Sequence, residues 1–158
     1  MQRLSALLPG YPAAAHPRHN AIIGSSQAPY FNTLAKECGL ATNFHNITHP
    51  SLPNYIAATS GLSYSALHNF LPDCSPKAGC WDEGEGGHYA KGEHCATNTS
   101  DVSCHIATLV ISPSTKKGTR SGTKLNHYSL LGTAEQLLRL SKLGQAASAP
   151  TMTKAFNL

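Results

Sequence analysis

Long apolar runs are missing from this sequence. Nothing in it approaches the roughly 20 residues that a membrane-spanning helix needs, so stable insertion into a bilayer is not expected. Charge is scarce as well: acidic and basic residues make up 13% of the chain, against about 25% in an average soluble domain. Only Lys116, Lys117, Arg120 and Lys124 cluster, and they sit among Gly, Ser and Thr with no aromatic side chain for base stacking. That argues against a nucleic-acid partner and for a solvated loop. The five cysteines lack the close paired spacing of a zinc ribbon or redox motif, and no internal repeat points to a solenoid. The start, Met1 to Ala15, has an apolar part broken by Pro9, Gly10 and Pro12, too short for a signal-peptide core.

What is present fits one domain of 158 residues. Nine histidines are an unusual number beside twelve lysines and arginines, and histidine is the commonest metal ligand and acid/base residue. Cys74 and Cys80 enclose one short loop and Cys95 and Cys104 another, leaving Cys38 over. Two small disulfide-closed loops suit an oxidising compartment, extracellular or periplasmic. The sequons Asn46-Ile47-Thr48 and Asn98-Thr99-Ser100 are compatible with export.

Residues 1–27 read as an irregular N-terminal segment and 28–158 as the domain proper. Pro29 suits the first turn of a helix running to about Cys38, with Phe31, Leu34, Ala35 and Cys38 on one face and Gly39 placed to end it. Leu40 to Ile47 reads as a short strand. Ser51 caps a second helix, roughly Leu52 to Thr59, which Gly61 can close. Residues 62–104 are loop-like. His105 to Ser112 is the one convincing buried strand, and Pro113 to Leu125 a turn-rich connection. In a last helix, Tyr128 to Leu140, the residues Leu130, Leu131, Ala134, Leu137 and Leu138 form a stripe expected to face the core, with Glu135 and Arg139 on other faces. Met152 and Phe156 are placed to pin the tail. One or two strands are few for an α/β layer, which needs several.

Three segments carry chemistry. Ser51 lies where a helix begins, among unpaired backbone N–H groups and at the positive end of the helix dipole, an environment that attracts phosphate and favours an alkoxide. His49 lies close enough in sequence to influence proton transfer; the plain alternative is that Ser51 only caps its helix. In Trp81-Asp82-Glu83-Gly84-Glu85-Gly86-Gly87, adjacent carboxylates followed by glycines can turn toward one hard divalent cation. His127, in Asn126-His127-Tyr128-Ser129, is either a site histidine or a helix-end residue.

Together these residues resemble a family of bacterial and fungal phosphoesterases that includes secreted acid phosphatases and is related to phospholipases C of the phosphatidylcholine type. The resemblance runs from Ala28-Pro29-Tyr30-Phe31-Asn32 to Thr48-His49-Pro50-Ser51-Leu52-Pro53-Asn54-Tyr55, through Trp81-Asp82-Glu83, to Asn126-His127-Tyr128-Ser129-Leu130-Leu131. It implies a three-layer α/β fold of the alkaline-phosphatase type. It also implies hydrolysis of a small-molecule or lipid phosphate ester, with Ser51 as nucleophile and a phosphoseryl intermediate. A divalent metal ion would be held by Asp82, Glu83 and Ser51, with Asn54 and His127 as contacts to phosphate or leaving group. The chain departs from the family in two places. Ala15 and His16 stand where a Glu-Asn metal-binding pair is expected, and Cys80 abuts Trp81 where the family has a long central segment, so the sheet is expected to be incomplete. The competing expectation is a truncated remnant without turnover that binds phosphate or metal weakly. A carboxyl-ester hydrolase built on Ser51 and His49 is a third, opposed by the absence of a Gly-x-Ser-x-Gly elbow.

Overall fold

The computed structural model describes residues 22–48, 51–63, 66, 95 and 104–158, with the backbone alone at 51 and 52. These form a mixed α/β arrangement. Helix α1 (Pro29–Glu37) opens on Pro29, where a missing N–H costs nothing, and buries Ala35. It delivers the chain to strand β1 (Gly39–Ala41), which pairs antiparallel with β3 (Thr108–Val110) and parallel with β4 (Arg120–Ser121). Gly39 does not end α1 as the sequence suggests; it begins β1. A Cβ there would meet the Phe156 ring at 2.7 Å, so the bare position admits that ring into the core.

After a two-residue break the chain continues as β2 (Phe44–His45), parallel to β5 (Leu125–Asn126). Leu125 N–H donates to the carbonyl of Asn43 at 3.0 Å and Thr42 N–H to that of Ser121 at 2.8 Å, so hydrogen bonding is carried across the break. The single strand expected over Leu40 to Ile47 is therefore two short ones. The connection from Pro113 to Leu125, read as turn-rich, contains β4 and opens β5, the parallel partners of these two strands. The stretch from His105, expected to be the buried strand, contributes β3 alone with Thr108 and Leu109 half-buried, plus an isolated bridge from His105 to His45.

Strands β2 and β5 lead into the two principal helices, α2 (Ser51–Ser60) and α3 (His127–Leu137). They pack together around Ile47, Ala57 and Tyr128, and the Tyr128 hydroxyl donates to the carbonyl of Leu62 at 2.8 Å. Gly61, at φ +68°, closes α2 as expected. It faces Gly144 so closely that a Cβ on either would overlap the other segment's backbone. A 3₁₀ turn (Gly144–Ala147) and a short helix α4 (Thr153–Phe156) complete the chain. Met152 and Phe156 join Ala41, Phe44, Ile106, Val110 and Leu125 in the larger core cluster, so the tail is pinned where the sequence placed it.

Helix α3 reverses one expectation. Its buried face is Tyr128, Ser129, Gly132, Thr133 and Glu135, whereas Leu130, Leu137 and Leu138 point to solvent. Gly132 lies against the backbone of Ala146, and Thr133 Oγ1 accepts from Met152 N–H at 2.8 Å. Small and hydroxylated residues let the 3₁₀ turn and tail come close, and the leucines take the other side.

Candidate active site

Parallel β2 and β5 end side by side; α3 follows β5 directly, and α2 begins at Ser51, after residues 46–50 that leave β2. The N-termini of α2 and α3 therefore lie at the same, carboxyl, end of the strands, the position at which open α/β sheets bind ligands. Helix α2 begins at Ser51, so the serine stands in the first turn, where the helix dipole is positive.

Asn54 builds the approach to that turn. Its fully buried carboxamide accepts from the backbone N–H of Ile47 (2.8 Å) and Thr48 (3.2 Å) and donates to the carbonyl of Thr48 (2.7 Å). Asn46 Nδ2 donates to the same carbonyl at 2.8 Å. The segment leaving β2 is thus held from both sides immediately before residues 49–51. Asn46 is itself fully buried, which rules out glycosylation of this sequon in the folded chain.

His127 opens α3, buried and edge-on to the Phe44 ring with centroids 5.6 Å apart. Burial pushes its pKa down to about 4, so the imidazole is neutral at physiological pH. Its Nδ1 has no hydrogen-bond partner among the described residues. The helix start is secured without it: Asn126 Oδ1 accepts from Ser129 N–H at 3.1 Å and Ser129 Oγ from Asn126 N–H at 3.1 Å, a reciprocal capping box.

The sequence did not single out His45, and it marked Asn46 only as part of a glycosylation sequon. Asn43 Nδ2 donates to the carbonyl of Gly122 (3.0 Å), which turns its Oδ1 toward His45 Nε2 at 2.7 Å. An acceptor there assigns the proton of the neutral ring to Nε2 and leaves Nδ1 as a buried lone pair. Burial, and after it the charge of Lys124, lowers the His45 pKa. The ring stacks on His105 at 5.1 Å and 11°. The alternating spacing Asn43-x-His45, which puts both side chains on one face of a strand, was the available signal. His105 follows Cys104, whose carbonyl accepts from Asn46 N–H at 3.0 Å and whose sulfur is bonded to Cys95, the second of the two expected disulfide loops.

Of the predicted site residues, the structure thus brings Asn54, His127 and the backbone of Ser51 to one end of the strands. His49, Asp82 and Glu83 lie outside the described residues, as do Cys74 and Cys80. Among the described residues no three His, Cys, Asp or Glu side chains gather as a metal-ligand set. No helix there is long and apolar enough to cross a membrane.

No protein-family model matches the chain, and no solved structure matches it. A stretch of 52 residues, 33% of the chain, is 38% identical to a phosphatidylinositol-3-phosphatase of Mycobacterium tuberculosis (strain ATCC 25618 / H37Rv). The match spans 17% of that protein's length.

Proposed function

We propose that this chain is a phosphate-ester hydrolase in which Ser51 is the nucleophile. The observation that carries the reading is the convergence of two helix N-termini, one beginning at Ser51 and one at His127, on the carboxyl ends of paired parallel strands. The similarity to a phosphatase supports the same reaction class.

Backbone amides in the first turn of α2 would bind the phosphate oxygens, and the helix dipole would favour the Ser51 alkoxide. Asn54 fixes the loop that presents the serine. Neutral His127 would donate or accept a hydrogen bond to the phosphate or leaving group without adding charge. Asp82 and Glu83 are assigned to a divalent cation, which when bound supplies charge stabilisation at phosphorus. The substrate is a small-molecule or lipid phosphate ester. Attack of the serine oxygen on phosphorus forms the phosphoserine bond and expels the alcohol, and water then releases phosphate.

Hydrolysis of p-nitrophenyl phosphate by purified protein, with and without Mg²⁺, Mn²⁺, Ca²⁺ or Zn²⁺, tests this. Ser51→Ala is expected to reduce the rate by about a thousandfold or more. Turnover left unchanged by that substitution removes Ser51 from the mechanism. No turnover with any of these metals, by a chain shown to be folded, favours the binding-only alternative.

A further inference from the structure

At the far end of α3 from His127, the chain turns through Leu137-Leu138-Arg139-Leu140-Ser141-Lys142-Leu143. Four leucines there are exposed, from 50% (Leu143) to 69% (Leu138), and Arg139 and Lys142 between them are exposed as well. The display is built rather than loose. Leu140 N–H donates to the carbonyl of Glu135 at 2.8 Å and Arg139 N–H to that of Gln136 at 3.2 Å, the paired bonds of a Schellman turn, with Arg139 in the left-handed region at φ +56°. Leu143 N–H then donates to Glu135 Oε1 at 3.0 Å. Glu135 is buried, so it ties the turn down from beneath. Beyond the turn, Gln145 N–H donates to the carbonyl of Gly61 at 2.8 Å.

Charge selects the occupant of this surface. Residues 102–158 hold seven lysines and arginines and a single acidic residue, Glu135, whose side chain is buried. Within the turn itself the charged side chains are Arg139 and Lys142, both exposed, and the acidic residue beneath it, Glu135, is buried. Exposed leucines interleaved with cations suit the interface of a bilayer, with apolar side chains entering the acyl boundary and charges meeting lipid phosphates.

We infer that the 137–143 turn is a peripheral docking site for an anionic membrane surface, separate from the candidate active site and independent of its chemistry. Helical rise puts the turn about 17 Å along α3 from His127, so a docked chain keeps the two ends of that helix functionally distinct.

Co-sedimentation of the purified chain with vesicles of phosphatidylcholine alone, and of phosphatidylcholine with 30 mol% phosphatidylserine (~30% anionic lipid, a PS-rich surface), tests the inference. Preferential binding to the anionic vesicles is expected. Arg139→Gln with Lys142→Gln should lower partition onto them by about 30-fold, from roughly 1 kcal/mol per cation. Leu138→Ser with Leu140→Ser should lower it by more than about tenfold, with the circular dichroism spectrum unchanged for both exposed pairs. Absence of binding, equal binding to neutral vesicles, or binding indifferent to either double substitution would overturn it. So would a concentration-dependent dimer that the leucine substitutions abolish in a chain that ignores vesicles; that result assigns the patch to a second copy.

Discussion

Asn54 lies three residues beyond the proposed nucleophile, and its side chain serves the fold directly. It supplies an acceptor to two buried backbone amides and a donor to a buried carbonyl. Replacing it by alanine leaves those groups to find other partners in a dry interior, which costs about 2–4 kcal/mol. We expect Asn54→Ala to lower the unfolding free energy obtained from urea melts by that amount. A residue used only to touch substrate would leave stability within about 0.5 kcal/mol. Asn54→Asp keeps the acceptor and loses the donor to Thr48, so it should fall between the two if the amide acceptance dominates. The sequence marked Asn54 by its place in the Ser51 segment, and that much was legible. Its bonds to residues 47 and 48 were not, because they depend on how the chain turns between β2 and α2. His45 escaped notice for a related reason: a histidine in a strand carries no sign of burial until the partners on either side are known.

At the scale of elements, helix starts were read more accurately than helix faces. Pro29 and Gly61 act through local backbone chemistry, so their effect is visible in a few consecutive residues. Which side of α3 is buried depends instead on what packs there. Ala146 and Met152 approach Gly132 and Thr133, and close approach selects small residues over the leucine stripe. Strands β4 and β5 were missed because two-residue strands have no period to detect. The C-terminal turn of α3 allows a test of this local chemistry. Arg139 occupies the left-handed position that glycine takes at low cost, whereas an ordinary side chain pays roughly 1 kcal/mol there. Arg139→Gly should therefore raise the unfolding free energy by about 0.5–1 kcal/mol, while weakening the association with anionic vesicles. A destabilised Arg139→Gly protein would mean that the guanidinium makes a stabilising contact stronger than the backbone strain. The Cys95–Cys104 disulfide acts on the neighbouring element, since Cys104 leads into the bridge between His105 and His45. Closing so short a loop contributes about 2–3 kcal/mol. Cys95→Ser with Cys104→Ser should lose that much in denaturant melts and blunt the effect of added dithiothreitol.

For the whole molecule, two buried imidazoles at the carboxyl ends of β2 and β5 make stability depend on pH. His127 titrates near 4 in the folded chain and His45 is also lowered, against about 6.5 when unfolded. Between those values the unfolded state binds more protons than the folded one, so the unfolding free energy rises with pH. The contribution is fully present above about pH 7.5 and is lost as pH falls through the unfolded value, levelling off below the folded one. For His127 the full loss is about 3 kcal/mol, and His45 adds to it with the same sign. Acidification perturbs more than these two rings, so the comparison has to be made against a variant. His127→Phe keeps an aromatic ring against Phe44 and removes the titrating nitrogen atoms. Urea melts at pH 7.5, 6.5, 5.5 and 4.5 (roughly the span between neutral and the carboxylate range) should show the variant losing less stability than the parent chain on acidification. Equal slopes would mean that His127 reaches water or an acidic partner in the folded state. The same neutrality constrains catalysis: an imidazole kept uncharged down to about pH 4 can hydrogen-bond a phosphate oxygen or leaving group at acidic pH without becoming a cation. A rate profile for p-nitrophenyl phosphate that shows no inflection from His127 between pH 5 and 7 is the kinetic counterpart of the stability difference.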